Sequence, residues 1–302
     1  MTDPPTAYDL DRLATALERQ LPTLGPVRPL SILGRGFRSI ALETAGGDVV
    51  RVGLSADAAD DYAKEWRIGR FLASRLGGLV PQPLWYAPPC DELPHGALGY
   101  KKLNGETQAW GADPGAAFAR DLGAFMARLH ALPVDEARIA GIADVDAYRR
   151  ILGARDVVMP VLTRRLEPAA VGVIERWWAG LAVDARMRTA RVAVCHHDLW
   201  HDNLLSSAGR LSGVLDLAHV ELSDPAHDFA APRYFGEDFM AALLDAYRSA
   251  GGLHDADDEH RAARYYEARE FGGLAWAVEH DDAREMSDSI QKIVDGPILG
   301  AR

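Results

Sequence analysis

The chain has 302 residues, of which 48% are hydrophobic and 25% charged, a composition that excludes fibrous and wholly disordered proteins. Acidic residues outnumber basic ones by 44 to 33, and the formal net charge of −11 argues against nucleic acid as a partner. No signal-peptide pattern opens the chain, and no apolar run approaches the roughly 18 residues of a membrane span. Only Cys90 and Cys195 are present, which favours a reducing compartment. We therefore expect a cytoplasmic protein without a membrane partner.

The first hundred residues alternate between helical and strand patterns. The predicted elements are a helix over 7–22, three antiparallel strands within 29–54, a helix over 56–76, and two strands near 83–86 and 97–103. The order β-β-β-α-β-β predicts a small α+β lobe, which we assign to residues 1–103.

The rest of the chain is mostly helical in pattern. The predicted helices cover 113–132, 145–152, 158–183, 237–250 and 257–282. A single β-like island, 191–218, interrupts them. We expect residues 104–302 to form a larger helical lobe, with the ligand site in a cleft between the two lobes.

The island contains a dense polar stretch, CHHDLWHDNLL, between two apolar runs. His196, Asp198 and Asn203 form the pattern HxDxxxxN, and Asp216 follows thirteen residues later in the strand-like run GVLDL. Phosphoryl transfer needs one carboxylate near the acceptor hydroxyl, and an amide oxygen and a second carboxylate for Mg²⁺. A loop between two strands would bring Asp198, Asn203 and Asp216 around one point. The alternative is a pair of turn-forming residues that cap a short helix, but a lone carboxylate in an apolar strand is costly.

A zinc site is a second reading of the same stretch. His197 and His201 are spaced four apart, which is similar to the HExxH pattern of zinc hydrolases. That pattern needs a long helix, and the strand-like RVAVC before it and the turn-like SSAG after it leave no room for one. We therefore expect both histidines to be loop residues at the cleft.

A phosphotransferase also needs a loop that covers the nucleotide phosphates. The stretch LGRGFRS, 33–39, lies between two strand-like runs, and Gly34, Gly36 and Ser39 would let backbone N–H groups approach phosphate oxygens. An ordinary hairpin turn is an equal alternative.

The third strand and the following helix supply a candidate ion pair. In DVVRVGL, Val49 and Arg51 share one strand face, where Val49 suits a purine ring and Arg51 a phosphate. Glu65 lies at the edge of the apolar face of the predicted helix, where it could reach Arg51. The alternative is a surface glutamate, but the order of the motifs along the chain favours a shared site.

These motifs resemble the aminoglycoside phosphotransferase family, small-molecule kinases with a protein-kinase-like fold. The resemblance spans 28–290 and is carried by GRGFRS, VVRVG, EWRIGRFLA, GYKKLNGE, LHALP, HHDLWHDNLL, GVLDLAHVELSDPAHDFA and FGGLAWAVEH. It implies an α+β, two-lobe fold with a small antiparallel-sheet N-lobe and a larger, mainly helical C-lobe. It further implies ATP or GTP as donor, gripped at a hinge that includes Tyr100 and Lys102, with Asp198 as catalytic base and Asn203 and Asp216 as Mg²⁺ ligands.

The chain departs from the family pattern at two positions. Family members usually have Gly at the position of His197, and many nucleotide-binding kinases have Lys at the position of Arg51. The DPxxD stretch that contains Asp224 and Asp228 is expected to support the loop structurally, with a position facing the cleft as the alternative for Asp224.

The acceptor site is expected in the helical lobe, where acidic and aromatic residues alternate in YFGED and in the stretch 267–285. Carboxylates suit the ammonium groups of an aminoglycoside antibiotic, although an exposed helix face would show the same pattern. The candidate acceptor residues are Asp202, Glu237, Glu270, Glu279 and Asp282. We predict a Mg²⁺-dependent kinase with a small, cationic acceptor. A kinase of macrolides or another metabolite and a nucleotide-binding module without transfer activity stay open.

Overall fold

The computed structural model describes residues 9–36, 38–109 and 111–300. The chain forms two compact units. The sheet unit takes the chain up to Ala109 together with Ile139–Gly141 and Asp202–His219, and the helical unit takes the rest. The predicted lobe boundary between residues 103 and 104 stays a prediction.

Two helices belong to the sheet unit. Helix α1, Leu10–Gln20, begins after Asp9, whose side chain accepts a hydrogen bond from the backbone N–H of Arg12. Helix α2, Ala56–Leu76, ends at Gly77, whose φ of 69° lies in the left-handed region that glycine adopts readily. Both predicted helices are confirmed, although residues 7 and 8 of the first lie outside the described residues.

A five-stranded antiparallel sheet forms the body of this unit. Its strands are β1 Ser31–Arg35, β2 Ser39–Glu43, β3 Asp48–Gly53, β4 Pro83–Ala87 and β5 Ala97–Lys101, in the order β1-β2-β3-β5-β4. All five predicted strands are confirmed. Because side chains alternate along a strand, Ile40, Leu42, Val50 and Val52 share one face and pack with Leu17 of α1 in one core. Arg51 therefore lies on the other face.

Short strands complete the sheet structure: β6 Glu106–Thr107, β7 Ala193–Cys195, β8 Leu204–Ser207, β9 Arg210–Val214 and β10 Glu221–Ser223. Strands β6, β8 and β9 form a second antiparallel sheet in the sheet unit, whereas β7 pairs with β10 in the helical unit. The predicted island at 191–218 thus divides between the two units. Strands β6 and β10 were not predicted, because two or three residues are too few to show alternation.

The α-helices after residue 111 are α3 Gly115–His130, α4 Val134–Ile139, α5 Ala147–Arg165, α6 Pro168–Val183, α7 Glu237–Ser249, α8 Ala256–Glu279 and α9 Ala283–Asp295. Helices α3 and α7 pack against each other at Gly123, where a Cβ atom would collide with the carbonyl oxygen of Leu243. None of the helices in the described ranges is long and apolar enough to cross a membrane.

The predicted break between helices at 145–152 and 158–183 is wrong. Helix α5 continues through this region and includes Pro160. The chain breaks instead at Glu167, which is extended because it precedes Pro168, and that proline occupies the first turn of α6. The structure also adds α4 and α9, and α9 begins where the side chain of Asp282 accepts the N–H groups of Arg284 and Glu285.

Candidate active site

A buried ion pair joins β3 to α2 in the sheet unit. Nη1 of Arg51 lies 2.8 Å from Oε1 of Glu65, whose side chain is only 2% exposed. The predicted contact is therefore confirmed, and the surface-glutamate alternative is wrong. Nη2 of Arg51 also lies 3.8 Å from Oδ1 of Asp216. One guanidinium group thus faces a helix carboxylate and a candidate metal ligand.

The charges of this cluster depend on one another. Burial by itself would lower the pKa of Arg51, but the carboxylates of Glu65 and Asp216 hold it well above its ordinary value. The pKa of Glu65 is raised to about 7, chiefly because of burial, while Arg51 opposes this shift and Asp216 adds to it. Arg51 is therefore a permanent cation in a site shielded from solvent, where it is suited to bind an anion.

The two candidate metal ligands lie at the open end of the β8–β9 hairpin, Asn203 just before β8 and Asp216 just after β9. The backbone N–H of Leu215 donates to the carbonyl of Asn203 at 2.8 Å, so the residue before Asp216 is hydrogen-bonded to Asn203. Asp216 has a left-handed backbone, with φ of 58°, and its carboxylate accepts the N–H of Ala218. Lys64 of α2 donates to the carbonyl of Ala218 at 2.5 Å and so ties this turn to α2. An amide oxygen and a carboxylate fit the oxygen preference of Mg²⁺.

The predicted phosphate loop is a β-hairpin in this structure. Gly34 lies at an irregularity in the pairing of β1 with β2, and the N–H of Gly36 donates to the carbonyl of Ser39 at 2.9 Å. A Cβ atom at Gly34 would meet no atom of the described residues within 4 Å, so this backbone is open to an approaching group. Phe37, between Gly36 and Arg38 in sequence, lies outside the described residues. A phosphate-binding role for this hairpin stays a prediction.

The remaining nucleotide candidates lie on β3 and on or just after β5. Val49 and Tyr100 are partners across the two strands, and both are buried. Nζ of Lys102 lies 2.9 Å from Oε2 of Glu43, so this side chain pairs with a carboxylate at the end of β2. Their roles in binding a nucleotide stay predictions.

Asp198 belongs to the helical unit, in the loop that follows β7. The fully buried carboxylate of Asp228 holds this loop, because it accepts the backbone N–H groups of His196 and His197, each at 2.7 Å. Nε2 of His130 lies 3.1 Å from the same carboxylate. The structural role predicted for Asp228 is confirmed.

The charge of Asp228 is set by these neighbours. Burial by itself would raise its pKa, but the hydrogen bond and charge of His130 outweigh burial and hold the pKa well below its ordinary value. Asp228 is therefore ionised at neutral pH. Asp224 is structural too, but it supports its own turn and α8 and not the loop, since its carboxylate accepts hydrogen bonds from Ala226, Arg261 and Tyr265.

His197 has an unusual conformation for a residue other than glycine. Its φ is 66°, and its side chain is only 5% exposed. The ring stacks on His227 with 4.3 Å between centroids, and Nδ1 lies 3.9 Å from Oε2 of Glu221. Burial lowers the pKa of His227. Sequence reasoning missed His227 and Glu221 as neighbours of this loop, because nothing in their local pattern indicates the contact.

The secondary structure excludes a zinc site of the HExxH kind at His197 and His201. Residues 196–200 are not helical, and His201 opens a single 3₁₀ turn that ends at Asn203. The described residues therefore offer no helix that could present His197 and His201 on one face.

An aromatic pocket lies within the helical unit, next to the loop that contains Asp198. It has a volume of about 130 Å³ and is lined by Gly111, Trp200, His201, Ala231, Tyr234 and Phe235. The guanidinium carbon of Arg269 lies 3.6 Å from the ring centre of Trp200. The hydroxyl of Tyr234 donates to Oε1 of Glu270 at 3.0 Å.

The acidic acceptor candidates occupy different positions around the helical unit and the β8–β9 hairpin. Glu270 contacts the pocket through Tyr234, whereas Glu237 and Glu279 are exposed at helix ends. Asp282 caps α9, and Asp202 is exposed in the 3₁₀ turn. The pocket lining is aromatic where the prediction emphasised carboxylates, and a role for these five residues stays a prediction.

Comparisons with known proteins agree with this geometry. A model of the phosphotransferase enzyme family matches residues 27–266. The uncharacterized protein YcbJ of Bacillus subtilis is 26% identical over 233 residues, which cover 73% of this chain and 68% of that protein.

Two solved structures show the same fold over nearly the whole chain. The GDP and kanamycin complex of APH(2")-IIIa has a TM-score of 0.78 at 21% identity and covers 94% of this chain and 97% of that one. Macrolide 2'-phosphotransferase type I has a TM-score of 0.75 at 23% identity and covers 97% of this chain and 99% of that one. The predicted protein-kinase-like fold, with a small antiparallel-sheet lobe and a larger helical lobe, is confirmed.

Proposed function

Because the chain belongs to the phosphotransferase enzyme family and is a small-molecule kinase, we propose that it moves the γ-phosphoryl group of ATP or GTP to a hydroxyl of its acceptor. The observation that carries this proposal is the buried Arg51, held by Glu65 and facing Asp216. Kinases need a strand cation paired with a helix glutamate, together with a metal-binding aspartate. This cluster supplies all three groups.

The donor nucleotide would be bound by residues of the sheet unit. Arg51 would contact the phosphates, and Glu65 would keep its guanidinium group in place. Val49 and Tyr100 would flank the base, with the backbone at Lys102 as its hydrogen-bonding partner, while the hairpin with Gly34, Gly36 and Ser39 would cover the phosphates. The GDP bound to one structural neighbour supports a purine nucleotide as donor.

In the chemical step, Asp198 would accept the proton of the acceptor hydroxyl. The oxygen of that hydroxyl would attack the γ-phosphorus, and the bond between the γ-phosphorus and the bridging β-phosphate oxygen would break. Asp228 would hold the loop of Asp198 without taking part in proton transfer, since its carboxylate is already occupied by N–H donors. Asn203 and Asp216 would hold Mg²⁺, which when bound neutralises charge on the phosphates.

We propose the aromatic pocket as the acceptor site and an aminoglycoside as the first acceptor to test. The kanamycin bound to one neighbour supports this choice, and flat aromatic rings suit the C–H faces of sugar rings. A macrolide is the second candidate, because aromatic residues dominate the described lining and another neighbour is a macrolide phosphotransferase. The donor nucleotides are cytoplasmic, so we place the enzyme in the cytoplasm, with a role in antibiotic resistance if either acceptor is confirmed.

The substitution Asp198→Asn tests the proposal. It removes the base, so we expect phosphoryl transfer to fall by about 10²–10⁴-fold. The melting temperature and nucleotide affinity should stay close to wild type. Transfer is measured with ATP and with GTP, against aminoglycosides, macrolides and amino alcohols.

The matched control is Asp245→Asn, the same change at an exposed position of α7, which should leave transfer unchanged. Undiminished turnover of Asp198→Asn would overturn the role of Asp198. Nucleotide hydrolysis that no acceptor accelerates would favour the nucleotide-binding alternative.

A further inference from the structure

The residue before Asp198 adopts a backbone conformation that a side chain normally disfavours. His197 has φ of 66°, in the left-handed region where the Cβ of an L-residue is crowded by its own backbone. Glycine would occupy this region without that crowding. Some interaction of the histidine must therefore hold the conformation in place.

The imidazole of His197 is held on two sides within the helical unit. One side stacks on His227 at 4.3 Å with an interplanar angle of 22°, and His227 in turn contacts Tyr265 of α8. On another side lies Oε2 of Glu221, 3.9 Å from Nδ1. Glu221 is itself fixed, because both of its oxygens accept bonds from Arg150 of α5 at 2.9 Å.

The backbone of His197 is held independently of its side chain. Its N–H donates to Oδ1 of Asp228, so the peptide that enters the residue has a defined position. The peptide that leaves the residue leads directly into Asp198. The N–H of Asp198 donates to Nδ1 of His196 at 3.3 Å, so the left-handed dihedrals of His197 join two peptides that are each hydrogen-bonded.

We propose that His197 is a positioning residue for Asp198. Its imidazole, enclosed by His227 and the Arg150–Glu221 ion pair, holds the left-handed backbone that directs the carboxylate of Asp198. This inference rests on the proposed function, in which Asp198 is the base. A glycine at this position could adopt the same turn, but it would lack the contacts of the imidazole with His227 and Glu221.

The test compares His197→Gly with variants of its stacking partner. His197→Gly should still fold, because relief of the crowded backbone partly offsets the loss of a buried ring, yet its kcat should fall about tenfold as Asp198 is held less firmly. The KM for the nucleotide should change by less than about twofold, because misplacing the base affects the chemical step more than binding. Amide hydrogen exchange over 195–200 should become faster, which reports the loop without using activity.

The partner variants separate stacking from general stability. His227→Phe keeps a flat ring and should retain most of kcat, whereas His227→Ala should lose kcat as His197→Gly does. Because both changes release the same contact, the double variant of His197→Gly and His227→Ala should be no slower than His197→Gly alone.

Three results would each overturn the inference. They are a wild-type kcat in His197→Gly, a raised KM with unchanged kcat, and a double variant whose kcat is lower than that of His197→Gly alone. The wild-type enzyme and Asp198→Asn are measured in the same assay. If the wild type transfers phosphate and Asp198→Asn does not, an unaffected His197→Gly overturns this inference alone. If the wild type transfers phosphate to no acceptor, the proposed function fails and the inference fails with it.

Discussion

Asp228→Asn is the most informative change in the helical unit. Asparagine keeps the shape of the side chain but replaces one carboxylate oxygen with an NH₂ group, which donates hydrogen bonds and cannot accept them. In the structure both oxygens accept backbone N–H groups, Oδ2 from His196 and Oδ1 from His197. One of these two buried donors must therefore lose its acceptor in the variant.

The expected loss of stability follows from these contacts. A buried donor left without an acceptor costs about 1–3 kcal/mol. Nε2 of His130 lies 3.1 Å from the same Oδ2 that accepts the N–H of His196, so this contact is disturbed as well. We expect the free energy of unfolding to fall by about 1–3 kcal/mol, the cost of the unpaired donor. We expect kcat to fall as well, since the loop before Asp198 loses its support.

Urea unfolding at pH 7 measures the stability change, and steady-state phosphoryl transfer measures kcat. The control is Asp238→Asn, the same chemical change at an exposed position in the first turn of α7, which should stay within about 0.5 kcal/mol of wild type. A loss below about 1 kcal/mol for Asp228→Asn, with wild-type kcat, would refute the reasoning about this carboxylate.

Two further outcomes are expected elsewhere in the molecule. Glu65, with its pKa raised to about 7 from an ordinary 4.5, binds its proton more tightly in the folded state than in the unfolded state, so its contribution to folding decreases as the pH rises through this interval. The free energy of unfolding of the wild type minus that of Glu65→Gln should therefore decrease by up to about 1.4 kcal/mol per pH unit, and a pH-independent difference in urea unfolding would contradict the assignment. Trp200→Ala opens the aromatic pocket and should raise the KM of the acceptor about tenfold without changing that of the nucleotide, and steady-state kinetics that show equal changes in both would exclude the pocket as the acceptor site.

The sequence was most predictive where local periodicity decides the outcome. Strand alternation places Arg51 on the face opposite Val50 and Val52, and helical spacing places Glu65 at the edge of the buried face of α2. Periodicity thus put the two side chains within reach, and the order of the motifs along the chain favoured their contact. The helix boundary near Pro168 was missed, because Pro160 and Pro168 look alike in sequence. The first lies inside α5, whose residues Val158 and Leu162 are buried on either side of it, while the second begins α6.

Contacts between distant segments could not be predicted in this way. The partners of His197 come from β10 and from the turn around His227, and no periodicity relates those segments to the loop. The same limit applies to the acceptor pocket. The stretch YFGED drew attention for its charges, but the structure directs Tyr234 and Phe235 to the pocket and leaves Glu237 exposed.

The chain returns to the sheet unit at Asp202–His219, long after it has left it at Ala109 and after the brief return at Ile139–Gly141. A hybrid enzyme made by a single crossover near Ala109 would combine Arg51 and Glu65 from one parent with Asp216 from the other. A chimera that exchanges this unit between homologous enzymes must therefore take the chain up to Ala109 and the segment Asp202–His219 from the same parent. A recombination library should be designed so that these two segments are inherited together.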